Sequence, residues 1–192
     1  MSTLHAYASD RDPEVASARM VHVVQGEYAI VAEPDVVLTT ILGSCVAACI
    51  TDPMARVGGM NHFLLPGSKE AGSDSLKYGV HSMELLINGL LQRGAMRSRL
   101  QAKLFGGAHV VVGLSDVGQQ NCEFAERFLT AENIACMGKS LGGDRARRIR
   151  YWPMTGRASM QLLAPTERQV FEAERRRGAP TPPPAAGDVE LF

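Results

Sequence analysis

The chain has no apolar run that could cross a bilayer. Residues 46–50 form one of its longest uninterrupted apolar stretches, against the ~20 residues a spanning helix needs. It has no excess of either charge, with 20 Lys+Arg against 20 Asp+Glu. No global field therefore draws it to nucleic acid or anionic lipid. After Met1-Ser2-Thr3-Leu4-His5 there is no basic stretch followed by an apolar one. No secretory signal is expected, and the cytoplasm is the expected location. The four cysteines, Cys45, Cys49, Cys122 and Cys136, show no C-x-x-C pair. That spacing speaks against a zinc ribbon, and a reducing compartment would keep all four as free thiols.

What is present suits one globular domain with tails: 192 residues, 45% of them apolar. Residues 1–19 are polar and aperiodic and read as an extension. The domain proper is expected over 20–165. A charged, Pro-rich tail over 166–192 follows; its stretch 167–177 suits a short helix and 179–187 a linker. The last residues, Asp188-Val189-Glu190-Leu191-Phe192, end that linker as either a loose terminus or a tethered docking peptide with an apolar anchor.

Residues 21–24 and 27–32 alternate around Gly26 as a hairpin or two strand pieces. The β-branched stretch 36–40 predicts a strand, whereas 46–51 suits a buried strand or a helix start. Residues 60–65 are apolar around Asn61 and His62, and 67–75 read as a loop. Met83, Leu86, Ile87, Leu90 and Leu91 follow helical spacing, which predicts a helix over 80–93 stopped by Gly94. A strand over 100–105, a helix over 121–132 and a strand over 134–137 follow. Residues 149–152 and 158–163 read as a hairpin through Thr155-Gly156. Between these elements, Arg145, Arg147, Arg148 and Arg150 read as a solvated edge or a docking patch for acidic helices. Strands outnumber helices and the two are interspersed, so the class is α+β or mixed α/β.

Chemistry concentrates between Thr39 and Pro66. Cys45 follows Gly43-Ser44, where the backbone can turn sharply, aim a side chain into a cleft and leave N–H groups for an oxyanion. A hydrolytic thiol also needs an imidazole, to lower its pKa and to protonate the leaving group. His62 lies 17 residues on, in an apolar segment beyond Gly58-Gly59. Two neighbouring strands would bring these side chains together. Spacing alone leaves two descriptions standing: a thiol hydrolase, or a domain whose cysteines pack as small hydrophobes, as Cys49 is expected to do.

The strings L-G-S-C-V-A-A-C-I-T-D-P and G-G-M-N-H-F-L-L-P closely resemble the chemoreceptor glutamine deamidase family (CheD). The resemblance continues through Gly26-Glu27-Tyr28, Lys77-Tyr78-Gly79, Lys103-Leu104-Phe105-Gly106-Gly107-Ala108, Gly118-Gln119-Gln120-Asn121 and Leu141-Gly142-Gly143-Asp144-Arg145-Ala146-Arg147. His109 departs from it, since the family often has an apolar residue there, and it reads as a surface histidine.

The resemblance implies two mixed β-sheets stacked between outer helices (α/β/β/α), similar to deamidating-toxin cysteine hydrolases. It implies a triad of Cys45, His62 and Thr39, with Thr40 as the adjacent alternative, and an oxyanion turn at Gly43 and Ser44. No metal and no cofactor are implied. The implied reaction converts glutamine side chains of methyl-accepting chemoreceptors to glutamate through a Cys45 thioester, releasing ammonia. A phosphatase of the CheC type is an implied partner. An adaptor role and a receptor methylesterase using the same thiol are the competing functions.

Overall fold

A computed structural model describes residues 17–65, 72–109 and 117–164. The chain forms β1 (Arg19–His22), β2 (Tyr28–Val31), β3 (Val36–Leu42), β4 (Val46–Asp52), β5 (Val57–Asn61), α1 (Gly72–Gln92) and a short 3-10 turn (Arg97–Arg99). It continues with β6 (Gln101–Gly106), α2 (Val117–Ala131), β7 (Ala135–Leu141), β8 (Arg147–Trp152) and β9 (Arg157–Leu162). The class is α+β. One sheet has the order β1-β3-β8-β9 and the other β2-β5-β4-β6-β7. Both are mixed, because β1 runs parallel to β3 and β7 parallel to β6 while the remaining pairs are antiparallel.

β4 shows why the sheets stack. All seven of its residues are buried. Val46, Ala48 and Ile50 face Met83, Leu86, Ile87 and Leu90 of α1 and Phe124, Ala125 and Phe128 of α2. Ala47 and Cys49 turn the other way, into a second core with Leu38 and Leu42 of β3 and Ile149 and Tyr151 of β8. The five-stranded sheet is therefore the middle layer, and its central strand is apolar on both faces for that reason. Both described helices lie on its outer side; among the described residues no helix covers the four-stranded sheet. The short helix expected over 167–177, the linker and the docking peptide lie outside the described residues.

Three local expectations are corrected. Residues 72–75, read as loop, belong to α1; small polar residues suit the first turn of a helix as well as a loop. Of the two readings of 21–32, two strand pieces stand and the hairpin falls, because β1 pairs with β3 in one sheet and β2 with β5 in the other. The arginine run is a solvated edge only at Arg145, which is exposed; Arg147, Arg148 and Arg150 belong to β8, which lies between β3 and β9. Arg147 is buried, and its guanidinium donates to the Ser140 hydroxyl at 3.0 Å and to the carbonyls of Ser140 and Gly142.

Candidate active site

Cys45 sits just before β4 and is 7% exposed. The turn leading to it is held by its carbonyls. Gly43 O accepts from Ala108 N at 2.7 Å, Cys45 O from Gly107 N at 2.7 Å, and Ser44 O from Asn121 Nδ2 at 2.9 Å. No described peptide bond is cis, and in a trans peptide the C=O and the following N–H point in opposite directions. The Ser44 and Cys45 N–H groups are thereby aimed away from Ala108 and Asn121. The close approach demands glycine at the end of β6. Gly106 has φ +117°, and a Cβ there would lie 2.1 Å from Cys45 O.

His62 follows β5. Cys49 faces Met60 in the β4–β5 ladder, and beyond it Val46 and Phe63 exchange backbone hydrogen bonds of 3.0 and 2.9 Å. The register is the same at both points, so Ala47 faces His62, and Cys45 is its diagonal neighbour on the inter-sheet face. Diagonal neighbours lie about 7–8 Å apart at Cα and less at the side chains, a span that thiol and imidazole together can close.

The imidazole is anchored from the opposite sheet. The Thr40 hydroxyl lies 2.9 Å from His62 Nδ1 and donates to Val23 O at 2.8 Å. A hydroxyl has one proton to give. With that proton on Val23 O, Thr40 accepts from Nδ1–H, and Nε2 is left as the basic nitrogen of the neutral ring. Thr39, the expected third member, does not meet His62. Its hydroxyl donates to Ile149 O of β8 at 2.8 Å, because successive residues of a strand face opposite sides. The hydroxyl behind the imidazole is that of Thr40.

Two residues to which the sequence reading assigned no role stand beside these groups. Asn121 is fully buried, and its carboxamide joins both halves of the site: Nδ2 donates to Ser44 O and Oδ1 accepts from Leu65 N at 2.8 Å. Its position in Gly118-Gln119-Gln120-Asn121 was the available signal. Gln25 accepts from the Cys45 thiol at Oε1, 3.4 Å away; it stands directly before the Gly26-Glu27-Tyr28 string, which marks the segment but gives Gln25 itself no role. Tyr78 lies close by, and burial, then the nearby Cys45 sulfur, raise its phenol pKa.

The other thiols differ. Burial pushes Cys49 far above the ordinary thiol range, and burial also raises Cys122, while Cys136 is exposed. His109 is exposed, and its N–H donates to Gly143 O. It lines a cavity of about 460 Å³ with Gly107, Gln119, Cys122 and Leu141, apart from Cys45 and His62. Among the described residues, no group of three or more His, Cys, Asp or Glu side chains is placed to hold a metal ion, and no helix is long and apolar enough to cross a membrane.

Thiol, imidazole and hydroxyl, ordered in this way between two stacked mixed sheets, have the composition of a cysteine-hydrolase site. The family model described as "CheD chemotactic sensory transduction" matches residues 64–162. Proteins called "Probable chemoreceptor glutamine deamidase CheD" match over more of the chain. The one from Agrobacterium fabrum is 54% identical over 178 residues, covering 92% of this chain and 98% of its own. That from Rhizobium meliloti is 54% identical over 181 residues with the same coverage, and that from Acidiphilium cryptum 54% over 179 residues, covering 91% and 94%. The chain belongs to the CheD family. Among solved structures, the Bacillus licheniformis hypothetical protein YfiH aligns with a TM-score of 0.41 at 12% identity, over 59% of this chain and 49% of its own.

Proposed function

We propose that the protein is a protein-glutamine deamidase acting on chemoreceptors, with Cys45 as nucleophile, His62 as acid–base and Thr40 as the residue that orients His62. The observation that carries the residue roles is the Thr40–His62–Val23 hydrogen-bond set across the two sheets. It supports an imidazole that carries its proton on Nδ1 and keeps Nε2 as the base. The substrate class is supported by family membership and by the names of the relatives.

His62 Nε2 takes the thiol proton, and the thiolate adds to the glutamine Cδ. Charge develops on the carboxamide oxygen, towards which the turn at Gly43, Ser44 and Cys45 offers its N–H groups. The imidazolium protonates the departing ammonia and leaves a thioester. Water, deprotonated by the same nitrogen, then releases glutamate and restores the thiol. Free thiols at all four cysteines suit a reducing cytoplasm. A CheC-type phosphatase is a second partner in this reading, to be sought by co-purification.

Incubation with a purified chemoreceptor fragment, followed by mass mapping and ammonia measurement, tests the assignment. Cys45→Ala should abolish both the glutamine-to-glutamate mass change and ammonia release. Full activity in that variant would sink the nucleophile assignment, and methanol release from a methylated receptor without ammonia release would favour a methylesterase.

A further inference from the structure

The turn that carries Gln25 is built onto the site. Glu27 N donates to Val24 O at 3.0 Å, and Gly26 at the third position has φ +89°, as a type II turn requires. Gly26 N donates to His62 O at 2.7 Å, and His62 N donates to Glu27 O at 3.0 Å. Val23 N donates to Thr39 O at 2.9 Å. The segment between β1 and β2 is thus fastened to both sheets and to the backbone of His62 itself. From it the half-buried Gln25 side chain reaches the nucleophile, with Oε1 3.4 Å from Cys45 Sγ.

We propose that Gln25 is a further catalytic residue, whose carboxamide N–H donates to the oxyanion formed when Cys45 attacks. The inference rests on the deamidase reading of the site. In the resting thiol, Sγ–H donates to Oε1. Once that proton has moved to His62, the sulfur has no proton to give. A half-turn about the terminal carboxamide torsion, which is broad and nearly two-fold, then brings Nε2–H to the same place. When the sulfur–carbon bond forms, the carbonyl electron pair moves onto the substrate oxygen, one atom removed from the sulfur. Nε2–H donates there beside the backbone N–H groups of the Ser44–Cys45 turn. As the pair returns to carbon–oxygen and ammonia leaves, the bond weakens again. The donation is therefore strongest in the transition state, the condition for raising kcat.

Two rates measured on the full chain separate this role from others: ammonia release from a chemoreceptor fragment, and alkylation of Cys45 by iodoacetamide. Alkylation needs the thiolate but forms no oxyanion. Gln25→Leu and Gln25→Ala are both expected to lower kcat by about 100-fold, the usual scale for one lost oxyanion donor, with KM and the alkylation rate nearly unchanged. Unchanged kcat overturns the proposal. So does a parallel fall in both rates, which makes Gln25 a modulator of the thiol, and so does a parallel rise, which makes it a cover over the thiol. Thermal melts establish that both variants are folded. Cys45→Ala in the same assay tests the underlying reading: ammonia release persisting there refutes the deamidase assignment of Cys45, whatever Gln25 does.

Discussion

Thr39 and Thr40 carry the same side chain and part company by one step of the β-strand pleat. Thr40 shares the inward face with Leu38 and Leu42 and meets His62, whereas Thr39 bonds within its own sheet. Thr40→Val should lower kcat by roughly 10–100-fold, the factor equivalent to losing one hydrogen bond to a charged group. Thr39→Val should leave kcat nearly unchanged. Steady-state kinetics on both variants check this; equal losses would undo the distinction. Asn121 acts through others. Asn121→Ala leaves Ser44 O and Leu65 N–H without their buried partner, at a loss of about 2–4 kcal/mol of stability. It should also lower kcat more than it raises KM, because the turn before Cys45 loses its tether to α2. Denaturant titration beside kinetics reads both effects. For neither threonine nor Asn121 could spacing supply the role. Residues 36–42 are otherwise apolar on both faces, with one threonine on each, so alternation marks no inside, and Asn121 finds its partners 77 and 56 positions away.

At the scale of elements, the β4–β5 connection shows how a turn written in sequence gains a tertiary function. Asp52-Pro53 reads as a turn, and Asp52 Oδ1 does accept from Met54 N and Ala55 N at 2.9 and 3.1 Å. The same buried carboxylate also takes Met96 N at 2.8 Å and pairs with Arg99 at 2.8 Å, joining the hairpin to the segment after α1. Burial works to raise its pKa, but Arg99 and the three backbone N–H groups outweigh it and bring the group from 3.8 to about 2. A carboxylate held lower in the folded than in the unfolded chain stabilises the fold above its unfolded pKa, and that contribution fades as pH falls through the folded one. Stability should therefore decline from about pH 4 towards pH 2. Asp52→Asn should flatten that part of the curve while lowering stability at neutral pH. Urea titrations of both proteins across this range would show it; identical slopes would refute it.

Across the whole molecule, local pattern carried the elements a long way. The helical spacing of Met83, Leu86, Ile87 and Leu90 names the buried face of α1, and Gly94 ends it in a left-handed conformation with φ +91°. The hairpin through Thr155-Gly156 forms as β8 and β9. The arginine run misled because a central strand in a two-layer stack can carry charge when its guanidinium finds carbonyls, and composition does not show the carbonyls. The resemblance that named the family lies in strings such as L-G-S-C and M-N-H-F, which sequence alone carries. What sequence by itself determined is the family, most of the strands and helices in their order, and the residue types available for chemistry; it left 46–51 open between strand and helix and did not mark the strand at Val57–Asn61. Only the tertiary structure decided that Thr40 backs His62, that Asn121 ties the nucleophile turn to the histidine segment, and that Gln25 reaches the thiol. Thr40 and Gln25 depend on which face of a strand or turn meets another segment across the inter-sheet gap, and Asn121 on which face α2 turns to the middle sheet. A one-residue change of parity reverses that facing while leaving the local pattern almost unaltered.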